Sequence, residues 1–121
     1  MVSKRDNLSP IQDISVTIGF MASSREYLDY ILEQLSLVDG INFRPMMGEF
    51  LIYHYGKVVG GIYDDRFMVK AIKPALDMMP DARMELPYQG ARKMIVVDRV
   101  EDREFLKNLF EAMYQYQYEQ T

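Results

Sequence analysis

The only histidine in the chain, His54, sits in Tyr53-His54-Tyr55. An imidazole titrates near neutrality and could serve as a general base. Its alternation with Phe50 and Ile52 puts it on one strand face beside a turn, where a surface or hydrogen-bonded role is the ordinary one. None of the serines at 3, 9, 15, 23, 24 and 36 stands in a nucleophile elbow, and cysteine is absent. Thiolate nucleophiles, disulfides, zinc–thiolate sites and iron–sulfur ligation are therefore excluded, and one imidazole cannot build a multi-histidine metal site. Asp64-Asp65 with Glu49 is the other candidate cluster. It lacks the alternating ligands and closing glutamate of a calcium loop, and adjacent aspartates between strands ordinarily shape a turn. Gly48, Gly60 and Gly61 belong to no phosphate-cradling motif. The residues point away from an enzyme, a metal and a cofactor.

Charge offers a second kind of chemistry. With 14 basic and 18 acidic residues the net charge is -4, so bulk charge does not draw the chain onto DNA. Strand alternation nevertheless places Arg66, Met68 and Lys70 on one face, with Lys57 on the partner strand, Arg44 two strands away and Lys73 just beyond. Such a basic face could contact phosphates or an acidic partner, or could simply be solvated. Ten methionines, clustered at Met46-Met47, Met68, Met78-Met79, Met84 and Met94, suit either an irregular core or an adaptable protein-binding or dimer surface.

Several elements must position these groups. Ser23-Ser24-Arg25-Glu26 forms a capping box, and Tyr27, Leu28, Ile31, Leu32 and Leu35 recur at helical spacing until Asp39-Gly40. Arg25, Asp29, Glu33 and Gln34 are expected on the outer face. From Asn42 to Ile72 the period becomes two, giving strands Phe43–Met47, Phe50–Tyr55, Lys57–Tyr63 and Arg66–Ile72 with tight turns at Tyr55-Gly56 and Asp64-Asp65. So closely joined, they must be antiparallel. Pro45 marks an edge or bulge, and Gly60-Gly61 a bulge or close backbone approach. Pro74 opens a short helix ended by Pro80. Glu85–Gly90 is irregular or a short edge strand, and Met94–Val97 is a buried strand. Asp98 is expected to cap a last helix carrying Phe105, Leu106, Leu109, Phe110 and Met113, with fraying from Tyr114. The expected class is α+β, a two-layer sandwich with an antiparallel sheet of about five strands and helices on one face, in the order α-β-β-β-β-α-β-α, with one further short strand possible. At 121 residues one domain suffices: 1–20 as an arm or extra strand (Ile14, Val16, Ile18 and Phe20 alternate), a domain over 21–114, and a tail over 115–121.

The stretch Arg44-Pro45-Met46-Met47-Gly48-Glu49-Phe50-Leu51-Ile52-Tyr53 resembles the N-terminal domain of the TfoX/Sxy family. That domain carries an arginine, a Met-Phe-Gly-Gly-like turn and a Leu-Tyr strand. Here Arg44, Met46, Gly48 and Tyr53 match, Met47 stands for the aromatic and Glu49 for the second glycine. Asp64-Asp65-Arg66-Phe67-Met68-Val69-Lys70 resembles the family's next signature, and Glu85-Leu86-Pro87-Tyr88 and the closing helix also fit. The resemblance covers about residues 21–114 and does not include the second, C-terminal domain of full-length regulators. It implies a two-layer domain with an antiparallel sheet, and a role in competence-gene regulation as a transcriptional coactivator beside the cyclic-AMP receptor protein.

The leading expectation is thus a non-enzymatic, bacterial, cytoplasmic interaction domain that works through a protein partner, a transcription regulator or RNA polymerase. Direct nucleic-acid binding is weak or absent, no membrane is involved, and a homodimer through a methionine-rich surface or open sheet edge is an option. Arg44, Met46, Met47, Gly48, Glu49, Arg66 and Lys70 form the expected contact surface, with charge reversal at Arg66 and Lys70 expected to leave the melting temperature nearly unchanged. The alternative is a small-ligand or anion-binding module using the same basic face.

Overall fold

The computed structural model describes residues 23–119; the arm or strand expected over 1–20 lies outside them. The elements run α1 (Arg25–Gln34), β1 (Ile41–Met46), β2 (Glu49–His54), β3 (Lys57–Tyr63), β4 (Arg66–Val69), α2 (Lys73–Met78), β5 (Met84–Glu85), β6 (Met94–Val96) and α3 (Arg103–Glu119). They form an α+β fold with one antiparallel sheet ordered β1-β2-β3-β4-β6-β5. A sixth, short strand is present, but at Met84–Glu85 rather than over the expected Glu85–Gly90, of which only Glu85 is in a strand.

The four-stranded meander turns three times on two residues each. Met47-Gly48, Tyr55-Gly56 and Asp64-Asp65 all have positive φ at both positions, the signature of the turn whose twist matches its flanking strands. The first of these turns is absent from the strand boundaries expected from alternation. The first strand ends at Met46, because Met47 has φ 52° and cannot stay in the ladder. Between β2 and β3, Ile52 faces Gly60 while Tyr53 faces Val58, so Val59 is an inserted residue. Gly60 and Gly61 lie beside this bulge, and a Cβ on them would strike the Met68 and Phe50 carbonyls. After Val69 the Lys70 N–H still donates to the Val59 carbonyl (3.0 Å), and Ile72 then begins α2 with Pro74 in its first turn.

Alternation divides the sheet into two faces. Ile52, Ile62, Phe67, Val69 and Ile95 point to one side, where Leu28 and Ile31 of α1, Leu35 just after it, Ala75 of α2 and Leu106, Leu109, Phe110 and Met113 of α3 close over them. All three helices contribute to this core. The opposite face carries Tyr63, Met68 and Val96, flanked by Met46, Leu51 and Met94.

Four local expectations change. Ser24, not Ser23, caps α1, accepting from the Tyr27 N–H at 3.1 Å. Gln34 is buried, its amide donating to the Val100 carbonyl (2.9 Å) and its oxygen accepting from Arg103 (3.2 Å), so it ties α1 to the start of α3. Asp102 rather than Asp98 caps α3, accepting from the Phe105 N–H at 3.0 Å. That bond, joined by Arg99, holds its carboxyl below the ordinary range. Nor does α3 fray at Tyr114: the expected tail is helical through Glu119, held by ring contacts of Tyr114 with His54 and Tyr55 and by Gln117 donating to the Val58 carbonyl (3.3 Å).

Candidate functional site

The residues expected to make contacts gather on or beside the helix-free face, but in two different conditions. Arg66 and Lys70 lie on the same strand side, four residues apart, and differ most. Arg66 donates to Glu85 (2.6 Å) and to the carbonyls of Tyr63 (2.9 Å), Leu86 (3.3 Å) and Pro87 (3.5 Å). Glu85 also pairs with Arg83 at 2.9 Å. Four of the five Arg66 N–H donors are thus spent within the molecule, two of them on the backbone of residues 86 and 87, which pins the start of the segment 86–93 onto the sheet. The expectation that reversing its charge spares stability is corrected on this ground.

That pinned segment forms a strap. Within it Pro87 is buried, and Tyr88 packs on Tyr63 with ring centroids 6.1 Å apart. The strap then turns at Tyr88–Ala91, where the Ala91 N–H donates to the Tyr88 carbonyl (3.1 Å) and Gly90 adopts φ 89°. Such a turn wants glycine at that position. It delivers Arg92 and Lys93 to the start of β6.

Glu49 is likewise a structural group. Its carboxylate accepts from the Ser23 hydroxyl (2.6 Å) and the Asp64 N–H (3.1 Å), while Ser23 Oγ accepts from the Asp65 N–H (3.0 Å) and the Ser23 N–H donates to the Gly48 carbonyl (3.0 Å). The Ser24 N–H adds a bond to Asp65 at 2.8 Å. Two hairpin tips and the start of α1 are thus clamped together. On this clamped tip Met47 stands 97% exposed, beside Gly48. Arg44 is exposed, its guanidinium 5.8 Å from the Tyr53 ring centre. Met46 is half-buried in the small apolar cluster.

The strap separates two open cavities. On the hairpin-tip side, about 580 Å³ is lined by Glu49, Asp64, Arg66 and Leu86–Gln89. On the other side, about 500 Å³ is lined by Lys70, Arg92 and Lys93 with Tyr63, Tyr88 and Met94, and by no carboxylate. The basic face expected from alternation is therefore rearranged. Arg66 is consumed by Glu85 and Lys73 pairs with Asp77 (3.0 Å), whereas Arg92 and Lys93, which the strand pattern did not single out, join Lys70. The signal that could have found them is the basic pair just after the Gln89-Gly90 turn and just before the apolar Met94–Val97 run.

His54 occupies the helix-covered side. It is 5% exposed among Tyr55, Phe110 and Tyr114, with ring centroids at 4.8, 5.6 and 5.3 Å, and its Nδ1 has no hydrogen-bond partner. Of the surface or hydrogen-bonded role expected for it, the surface part is replaced by burial, while a hydrogen bond to the Asp39 backbone is present. Burial pushes its pKa below the usual value, against weaker upward pulls from the Asp39 backbone and Glu111. No serine hydroxyl reaches it among the described hydrogen bonds. Among the described residues, no three His, Cys, Asp or Glu side chains group to hold a metal, and no helix is long and apolar enough to cross a membrane.

Both sheet edges are blunt. On β1, Pro45 has no N–H to offer and the Phe43 N–H is taken by the Asn42 side chain at 2.8 Å, while β5 is two residues long. The edge-to-edge route to a dimer that the sequence left open is disfavoured on these grounds. No family model, curated protein or solved structure matches the chain.

Proposed function

We propose that the chain is a non-enzymatic interaction domain of the TfoX-like regulatory kind, a coactivator of competence-type genes that acts through a transcription regulator or RNA polymerase. Met47 carries the reading. A large flexible thioether stands almost wholly in water on a turn that the Ser23–Glu49–Asp64 clamp holds in place. Exposing it has no benefit to folding, and a rigidly presented methionine is the kind of adaptable anchor that protein partners use. Arg44 and Gly48 stand beside it, while Glu49 contributes by fixing the tip. Contact through a protein also fits an acidic chain whose three described helices are packed onto the sheet, none of them projecting among the described residues for a DNA groove.

The test is affinity capture from the native host's lysate after nuclease treatment, comparing the native chain with an Arg44→Glu/Met47→Asp variant. The expected result is recovery of a transcription regulator or RNA polymerase by the native chain and its loss by the variant, with stability altered by no more than about 0.5 kcal/mol. Equal recovery by both chains, or recovery of the chain alone, overturns the reading.

A further inference from the structure

We infer that the carboxylate-free cavity beside the strap is a binding site for a small phosphorylated molecule with a planar body, of the nucleoside monophosphate class. The first observation is the segregation of charge. Arg25, Arg66, Lys73, Arg83, Arg99 and Arg103 each lie within ion-pair distance of a carboxylate. Six described cations have no such partner; Arg44, Lys57 and Lys107 lie on β1, β3 and α3, whereas Lys70, Arg92 and Lys93 line one cavity in a chain of net charge -4. Three cations gathered without a counter-charge repel one another, and a bound dianion offsets that repulsion.

Placement of the three is set by the fold. The β4–β6 register pairs Met68 with Val96 and Val69 with Ile95, so its next step sets Lys70 opposite Met94, with Lys93 adjacent in the chain. The Gly90 turn brings Arg92 in from the strap. Arg92 supplies the planar fork that suits phosphate oxygens, and the lysines supply point charges.

The remaining lining selects the rest of the ligand. Tyr63, Tyr88 and Met94 provide apolar and aromatic surface, and Tyr88 is 55% exposed, so a flat group has a ring to lie against. The volume of about 500 Å³ suits a molecule of this size. A long polyanion is disfavoured, because the other side of the strap presents Glu49 and Asp64.

Calorimetric titration of the purified chain tests this, with adenosine monophosphate and inorganic phosphate as separate probes. Adenosine monophosphate is expected to bind saturably and more tightly than phosphate. Arg92→Gln, Lys93→Gln and Lys70→Gln should each weaken it by about tenfold, the loss expected for a charge-assisted contact. Tyr88→Ala should weaken adenosine monophosphate and leave phosphate unchanged, and Lys57→Gln, which lies outside the cavity, should change neither. Absence of saturable binding overturns the site. So does an equal loss with Lys57→Gln, which would mean diffuse charge attraction. Tighter binding of a polyglutamate peptide or single-stranded DNA through the same three residues would replace the small molecule with a polymer. Indifference of adenosine monophosphate to Tyr88→Ala removes the planar body from the assignment. No partner protein enters the measurement, so its result is independent of the regulatory reading.

Discussion

The two faces of the sheet bury their residues by different means. On the helix side, side chains from α1, α2 and α3 interlock with alternate strand residues, and even the imidazole of His54 is enclosed by rings. On the other side a strap of eight residues does the covering, and a polar hub, Arg66 with Glu85, fixes it. A dry packed face leaves no side chain free for outside work. A strapped face holds its cover with a few hydrogen bonds and leaves the groups around the strap unspent. The contrast between Arg66 and Lys70, four residues apart on one face, shows this: both are cations, but one is held by Glu85 and three backbone carbonyls and the other has no carboxylate partner among the described residues.

Substitutions should separate the two faces, beginning with the largest effect. Phe110→Ala on the helix side removes a fully buried ring in contact with Phe67 and His54, and should lower stability by about 3–5 kcal/mol in urea unfolding. Arg66→Ala on the strapped side removes the bonds that hold the strap and leaves Glu85, which is partly screened by solvent, with only Arg83. A loss of about 2 kcal/mol is expected, with faster amide exchange confined to residues 84–93. A loss spread evenly over the sheet would show that the strap is not a separately held unit.

The smallest effect is a pH dependence on the helix side. Burial keeps His54 neutral in the folded chain below its ordinary value of 6.5, whereas the unfolded chain takes up a proton there. Stability is therefore complete above about pH 6.5 and declines as pH falls through the folded-state value, by at most about 1.4 kcal/mol per pH unit. Urea unfolding between about pH 7.5 and 5.5 should show this slope in the native chain and lose it in His54→Phe. A slope that survives the substitution would assign it to the carboxylates.

Much of the fold was readable because its signals are local. Period-two alternation, tight turns at Tyr55-Gly56 and Asp64-Asp65, and the apolar stripe of the last helix each arise within a few residues, and each is found in place. What failed depends on partners distant in the chain. Arg66 reads as a free cation until Glu85, nineteen positions on, is folded back against it. Glu49 reads as a surface acid until Ser23 and Asp64 converge on it, and Gln34 reads as solvated until Val100 and Arg103 arrive. Alternation assigns a side chain to a face but says nothing of what already holds it there. Alternation carries the first strand one residue too far, to Met47, although the family resemblance places a turn there: methionine is seldom found at positive φ, and the clamp beneath it comes from residues that are not its neighbours.

The three two-residue turns also decide which changes of length the domain can absorb. Side chains alternate between the faces at every residue, so one residue inserted at or deleted from a turn that keeps its two-residue form shifts the following strand's register by one and exchanges its inward and outward side chains. The strand after such a change would aim its core residues at the strap and its polar ones at the helices. Residues 86–93 carry no such parity, because they cross the sheet without pairing into it. Descendants of this sequence can therefore lengthen or shorten the strap one residue at a time without a change of face, whereas in the meander the same change keeps the faces only where the turn itself takes up the residue.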